Sequence, residues 1–331
     1  MLMVGLFIFN HQMMILRYIL IFLFLFITLP TYSKESKFEK KLQKDLKKLS
    51  KFNGFIDNNL ELYDADSISD FKKSIVIIYN HGSDGGEAKL DHCNKGSMNV
   101  PEVISNLHNQ EIKGLTIKIY RMCSGVRGLI EPQWVRVHDL WRQDGNVNGF
   151  IELIDYDGVK IYDKLKQTNK RKIILDKVNE LIESGFENIV LAGHSCGAWA
   201  TLNLTGRFHD KIKGSIAMNP ACRGRISDRT KKNPWPAWSA YDDYEVDKFM
   251  KLSEINSLVF IHDKDPWENS ETLSFLNNIN KIQIINYTNF ECKGKFGANA
   301  HDHPVYPKED NCFAKWEAKN NYIINYLESI F

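Results

Sequence analysis

From residue 74 onward the chain alternates between short β-branched runs and longer segments with apolar residues every third or fourth position. Ser74-Ile75-Val76-Ile77-Ile78-Tyr79-Asn80 is a continuous apolar run of strand length, the pattern of a strand buried on both faces of a parallel sheet. Comparable runs at 115–120, 188–192, 214–218, 258–262 and 281–286 predict five further strands. Between them, 167–184 carries Ile173, Ile174, Val178, Leu181 and Ile182 on one helical stripe, with Gly185 where a helix ends. A second helix is expected to start at Ser195 and run through Leu204, and a third over 320–330. Strands alternating with helices predict an α/β fold with a doubly wound, mainly parallel sheet. Two stretches resist the pattern. Residues 125–157, with Trp134 and Trp141, show weak periodicity, and no strand is evident before Ser74 except within 59–63.

The N-terminus has a different character. Residues 18–29 are apolar and uncharged, Arg17 precedes them, and Thr31-Tyr32-Ser33 places small residues at −3 and −1 of a cut after Ser33. That is the layout of a secretory signal over 1–33, with Met13 or Met14 as an alternative start. An uncleaved signal segment would be the chain's one membrane contact. Residues 34–51 are Lys-rich with Phe38, Leu42, Leu46 and Leu49 at helical spacing, an amphipathic helix that leads, through 70, into a domain spanning 71–331.

Composition narrows the class. Of 331 residues, 43% are hydrophobic and 25% charged, enough apolar surface to exclude disordered and low-complexity chains. With 43 Lys+Arg against 41 Asp+Glu, charge gives no reason to expect a nucleic-acid partner. Mean hydropathy is −0.35, which excludes a polytopic membrane protein. Six cysteines in an exported chain suggest disulfides: the expected pairs are Cys93–Cys123, Cys196–Cys222 and Cys292–Cys312, neighbours in sequence order that mostly follow strand ends. No cysteine or histidine spacing suggests a metal site, and no cofactor is expected.

The candidate chemistry begins at Gly193-His194-Ser195-Cys196-Gly197, a G-x-S-x-G motif between an expected strand and an expected helix. The turn is so tight that its serine takes strained angles and glycines keep side chains out of the bend, leaving the hydroxyl exposed. A serine needs a base, and Ala298-Asn299-Ala300-His301-Asp302-His303 follows the last strand. His301 is preferred because a small-residue run precedes it; His303 is the alternative. The base needs an acid, and His262-Asp263-Lys264-Asp265-Pro266 supplies Asp265, with Asp263 as the alternative.

These residues, in the order Ser195, Asp265, His301, resemble the α/β-hydrolase superfamily, over residues 74–330. The chain looks most like its compact group of dienelactone-hydrolase-like enzymes and esterases, although Ser195 stands where dienelactone hydrolase itself has a cysteine. The resemblance implies an oxyanion hole from the backbone N–H groups of Ser83, in the turn His81-Gly82-Ser83, and of Cys196. It implies an exported serine hydrolase, periplasmic or secreted, cleaving carboxylic esters of small molecules through an acyl-enzyme. A serine peptidase using the same residues is the alternative, and a binding protein on a hydrolase scaffold a second. A loop insertion around 223–245 carries Arg223, Arg225, Arg229, Lys231 and Lys232 ahead of Trp235, Trp238 and Tyr241, a basic aromatic surface suited to an anionic or aromatic acyl group or to a solvated cover.

Overall fold

The computed structural model describes residues 47, 50–82, 99–123, 150–154, 160–229, 245–290, 299–305 and 312–331. The expected signal segment and most of the basic segment after it lie outside these residues, as do Trp134, Trp141 and 230–244. Among the described residues no helix is long and apolar enough to cross a membrane.

Nine strands form one sheet. They are β1 Gly54–Ile56, β2 Leu62–Tyr63, β3 Ser74–Asn80, β4 Glu111–Ile112, β5 Leu115–Met122, β8 Asn188–His194, β9 Gly214–Met218, β10 Glu254–Ile261 and β11 Asn280–Asn286. Their order is β11-β10-β9-β8-β3-β5-β1-β2, with β4 beside β5. The run from β5 to β11 is parallel, while β1 is antiparallel to both β5 and β2. The parallel run β5-β3-β8-β9-β10-β11, flanked by helices, is consistent with the doubly wound α/β-hydrolase-type sheet expected from the sequence; the antiparallel β1–β2 pair is added at its edge. A separate antiparallel hairpin joins β6 Phe150–Ile154 to β7 Lys160–Lys164.

Side-chain alternation along the parallel strands builds two cores. On β3, Ile75, Ile77 and Tyr79 face one layer, with α1 Glu102–Ser105, α4 Cys312–Asn320 and α5 Tyr322–Ile330. Val76 and Ile78 face the other, where α2 Leu165–Glu183 packs Ile174, Val178 and Leu181. Helix α3, Cys196–Arg207, contributes Ala200 and Leu204 to the same layer and Trp199 and Leu202 to the cluster under β9 and β10. Every residue of β3 is buried, as the continuous apolar run requires of a strand covered on both faces. At about 1.5–3 kcal/mol per buried large side chain, these layers supply the main driving force for folding.

Topology places the site. Connections run from β3 outward to β5 on one side and through β8 to β11 on the other. The crevice at the carboxyl ends of β3 and β8 is therefore the topological switch point, where ligands enter open α/β sheets.

The structure adds three elements the pattern hides. Strand β1 has only three residues and β2 only two, too few for a period to show, and they pair as an antiparallel edge within and just before the anticipated 59–63. Strand β6 of the hairpin falls within the stretch 125–157 that lacks periodicity, and β7 follows just after it. The helix expected over 320–330 is α5, Tyr322–Ile330; a further helix, α4, precedes it, and Asn321, left-handed at φ 55°, separates the two. Strand β10 also begins at Glu254, four residues before the apolar run.

Candidate active site

Ser195 links β8 to α3 at φ 55° and ψ −127°, a backbone conformation that a side chain bearing a Cβ adopts only under constraint. The constraint is visible. The Ser195 N–H donates to Met218 O at 3.1 Å, and Ser195 O accepts from Ala221 N at 3.2 Å and Trp199 N at 3.0 Å. The flanking glycines are required by close approach. A Cβ on Gly193 would lie 2.6 Å from the Gly197 carbonyl carbon, and one on Gly197 would collide with the carbonyl oxygens of Asn80 and His81. The Ser195 hydroxyl is half-buried and donates to Ala221 O at 3.4 Å, a long bond that leaves it able to rotate.

Asp265 and His301 meet close to this turn: the His301 ring lies 4.8 Å from that of His194, the residue before Ser195. Asp265 sits in the tight turn after β10, with its N–H donating to His262 O at 3.0 Å. Its Oδ1 accepts the N–H of Trp267 at 2.8 Å and that of Glu268 at 3.4 Å. Its Oδ2 accepts from His301 Nδ1 at 2.6 Å, which assigns the proton to Nδ1 and leaves Nε2 as the imidazole's basic nitrogen. Both side chains are almost wholly buried. The two alternatives point elsewhere. Asp263 is exposed and lies below the usual carboxylate range, chiefly through hydrogen bonds from Ser270 and Asn286. His303 is buried against the rings of His262 and Tyr287, at 5.3 and 6.2 Å. Asp302 is half-buried, and burial raises its carboxyl.

The loops around the pair are cross-linked. Cys196 and Cys222 form a disulfide joining the first residue of α3 to the loop after β9. Cys123 and Cys312 are disulfide-bonded too; Cys93 and Cys292 lie outside the described residues. Next to Cys222, Arg223 forks onto Glu268, Nε to Oε1 at 3.0 Å and Nη2 to Oε2 at 2.7 Å, and reaches Thr272 O at 2.9 Å. Its guanidinium lies 5.0 Å from the Trp199 ring and both partners of the pair are buried. Arg223 therefore leaves the basic, substrate-facing set expected from the sequence: its charge is spent inside the protein, on the loop that carries Asp265. Arg225 is exposed over Trp267, at 5.1 Å from the ring centroid, and the Trp267 ring is 6.0 Å from that of His301. Lys231, Lys232, Trp235, Trp238 and Tyr241 fall outside the described residues.

The segments expected to supply the oxyanion hole are partly in view. His81 and Gly82 follow β3, and a Cβ on Gly82 would lie 3.0 Å from Ser195 Cβ, so this turn runs against the serine; Ser83 falls outside the described residues. Cys196 opens α3, where N–H groups point out of the helix end. Behind the turn, fully buried Lys170 on α2 donates from Nζ to His81 O at 2.9 Å. Arg171 beside it meets Glu245 at 3.4 Å. Burial works to raise the Glu245 carboxyl, but Arg171, Lys248 and the Trp199 indole N–H hold it below its ordinary value.

Sequence reasoning passed over Lys170, Glu268, His194 and Asn219. In the sequence His194 is only an x position of G-x-S-x-G, and Asn219 belongs to no motif. The one available signal was position: Asn219 and Pro220 stand directly past β9, at the sheet end that holds the site. His194, His301 and Asp302 place ligand-capable atoms within 4.8 Å of one another. His194 Nε2 is engaged with His301 O, and His301 Nδ1 with Asp265, so two of the three are committed to a hydrogen-bond network.

No family model matches the chain. Among curated proteins, β-crystallin A1-1 of Aquarana catesbeiana is 27% identical over 99 residues, and the match spans 30% of this chain and 43% of that protein. Among solved structures, Est1E from Butyrivibrio proteoclasticus is similar at 14% identity and a TM-score of 0.44, over 83% of this chain and 93% of that one. Oligopeptidase B from Trypanosoma brucei matches at 13% identity and a TM-score of 0.43, over 78% and 34%. An S-formylglutathione hydrolase from Agrobacterium tumefaciens matches at 12% and 0.37, over 65% and 75%. At such identities and TM-scores the likenesses say nothing about substrate or mechanism.

Proposed function

We propose that the protein is an exported serine hydrolase that cleaves carboxylic esters through an acyl-enzyme on Ser195. The observation that carries the reading is the Asp265–His301 pair, bonded at 2.6 Å, beside a serine held at φ 55° on a strand-to-helix turn. A strained, half-exposed serine next to a buried, carboxylate-oriented imidazole is what nucleophilic acyl transfer needs.

In this mechanism the Ser195 hydroxyl turns from Ala221 O toward His301 Nε2, gives up its proton and attacks the ester carbonyl. Asp265 keeps the imidazole in the tautomer with a bare Nε2 and stabilises the imidazolium that forms. The carbonyl oxygen becomes an oxyanion, received by the N–H groups of Cys196 and Ser83; one such donor contributes about 2.7–4 kcal/mol. His301 then protonates the leaving alcohol. A water molecule, deprotonated by His301, releases the acid and restores Ser195.

The disulfide Cys196–Cys222 fits an oxidising compartment and so supports export. A fluorophosphonate probe followed by peptide mapping tests the nucleophile: covalent labelling of Ser195, lost in Ser195→Ala, is expected. Labelling elsewhere, or none on a folded protein, overturns the reading. A panel of p-nitrophenyl esters and peptide amides then assigns the bond, with esters expected to turn over faster.

A further inference from the structure

We propose that His194 and Asn219 form a clamp on the main-chain carbonyl of His301, and that this clamp sets where the base stands relative to Ser195. The inference rests on the proposed role of His301. His301 O accepts two hydrogen bonds, from His194 Nε2 at 2.7 Å and from Asn219 Nδ2 at 2.9 Å. A carbonyl oxygen has two lone pairs, so its capacity is filled. The donors come from the ends of β8 and β9. These same strand ends build the serine turn: His194 directly precedes Ser195, and the Ser195 N–H donates to Met218 O, the residue before Asn219. Nucleophile and base, far apart in sequence, are thereby referenced to one pair of strand ends. The Asp265 bond orients the imidazole ring; the clamp positions the backbone that carries it.

Both residues are shaped for this. His194 is buried with its ring 4.8 Å from that of His301. Burial, aided by the neighbouring His301, pushes its pKa down to about 3, so it stays neutral, and the His301 carbonyl, which can only accept, calls for its single N–H on Nε2. Asn219 holds a left-handed backbone at φ 44°. Its Nδ2 faces Ala300 O at 3.0 Å, His301 O and the Tyr287 hydroxyl at 2.6 Å, while its buried Oδ1 has no partner among the described residues. Turning the amide over would give Oδ1 the tyrosine hydroxyl but would press it against two carbonyl oxygens. Backbone strain and an orphaned acceptor in one buried residue are unfavourable features that persist where the surroundings demand them. Here the demand is the carbonyl of the base. Neither residue reaches the reacting atoms in the proposed mechanism, so both are positioning residues.

The test compares His194→Met, which keeps volume and removes the donor, with His194→Gln, whose amide nitrogen restores a donor near the Nε2 position. Asn219→Gly removes the second donor while relaxing the left-handed backbone. On a p-nitrophenyl ester, His194→Met and Asn219→Gly are each expected to lower kcat by about 10- to 100-fold, with KM changed less than about threefold. His194→Gln should return to within about threefold of wild type. Folded variants of both types that keep wild-type kcat, or a glutamine variant as impaired as the methionine one, overturn the clamp. If His194→Met does not fold, Asn219→Gly decides. The low-field proton resonance of His301 Nδ1–H on Asp265 gives an answer even if wild type hydrolyses no ester, which would sink the functional reading instead. Loss or displacement of that resonance in Asn219→Gly and His194→Met, with retention in His194→Gln, supports the clamp; an unchanged resonance in all three overturns it.

Discussion

The serine turn and the Asp265–His301 pair proposed to serve it are held in place by different means. Ser195 is positioned by backbone: a strand, a helix, two glycines and hydrogen bonds to Met218 O and from Ala221 and Trp199 N–H groups. All of its geometry follows from residues that must be small or must continue a strand into a helix. Asp265 and His301 are positioned by side chains: the Arg223 fork onto Glu268, the Asn219 amide and the His194 imidazole. The first arrangement is local and tolerant of changes in neighbouring side chains. The second depends on a few buried polar groups, each of which must be present and paired.

The sharpest break in this comparison is removal of the proposed nucleophile. Ser195→Ala is expected to lower kcat on an activated ester by ~10⁴-fold or more while leaving the thermal midpoint nearly unchanged, because the hydroxyl packs against little. His301→Ala should fall in the same range, and His303→Ala far less; steady-state kinetics beside thermal melts check both.

Next comes the acid side. Glu268→Gln leaves the Arg223 guanidinium buried against a neutral amide, and breaking such a pair costs about 3–5 kcal/mol. Replacing both residues with apolar ones of similar volume should recover much of that stability. It should not recover kcat, since the turn holding Asp265 has lost its tether. Chemical denaturation with kinetics on the single and double variants separates the two effects; full kinetic recovery in the double variant would show that the fork serves stability only.

The disulfide tests the serine side by the same logic. Replacing Cys196 and Cys222 with serines should cost about 3–4 kcal/mol in the chain-entropy model for a sequence separation of 26 residues. If the turn is held by its backbone, kcat should change less than about tenfold at temperatures where the variant is folded. A larger fall would mean that the cross-link itself holds the turn.

Per pH unit, the smallest effect is on stability in acid. His194 titrates near 3 in the folded protein against about 6.5 for an exposed imidazole. Between these values the unfolded chain binds a proton that the folded one refuses, so stability falls as pH drops from about 6.5 toward 3. One such proton contributes a slope of about 1.4 kcal/mol per pH unit. Against wild type, His194→Gln should show an unfolding free energy that declines less steeply with acid by about that slope. Parallel curves would place the proton elsewhere.

What the sequence determined was whatever short-range pattern can carry. The apolar run of β3 could be little other than a strand covered on both faces, and each of the six anticipated strands has its counterpart in the sheet. Gly193 and Gly197 around Ser195 announced a turn that admits no side chain, because the prohibition is steric and lies within five residues. The three-residue β1 and the break at Asn321 were illegible for the opposite reason: one is too short to show a period, and the other turns on a single residue's backbone angle.

Tertiary structure decided the rest. Chain order offered two acids and two bases, and only flanking residues, the small-residue run before His301 and Pro266 after Asp265, favoured one of each. Asp265 lies on His301 because its turn folds inward and is bound through Glu268 to an arginine 45 residues earlier in the chain. Arg223 looked like a surface cation among other cations until its partner came into view. His194 looked like the free position of a motif until the carbonyl it holds came into view, 107 residues away. A buried hydrogen bond is fixed by where two groups meet, and sequence states what each group can donate or accept but not which partner the fold will bring.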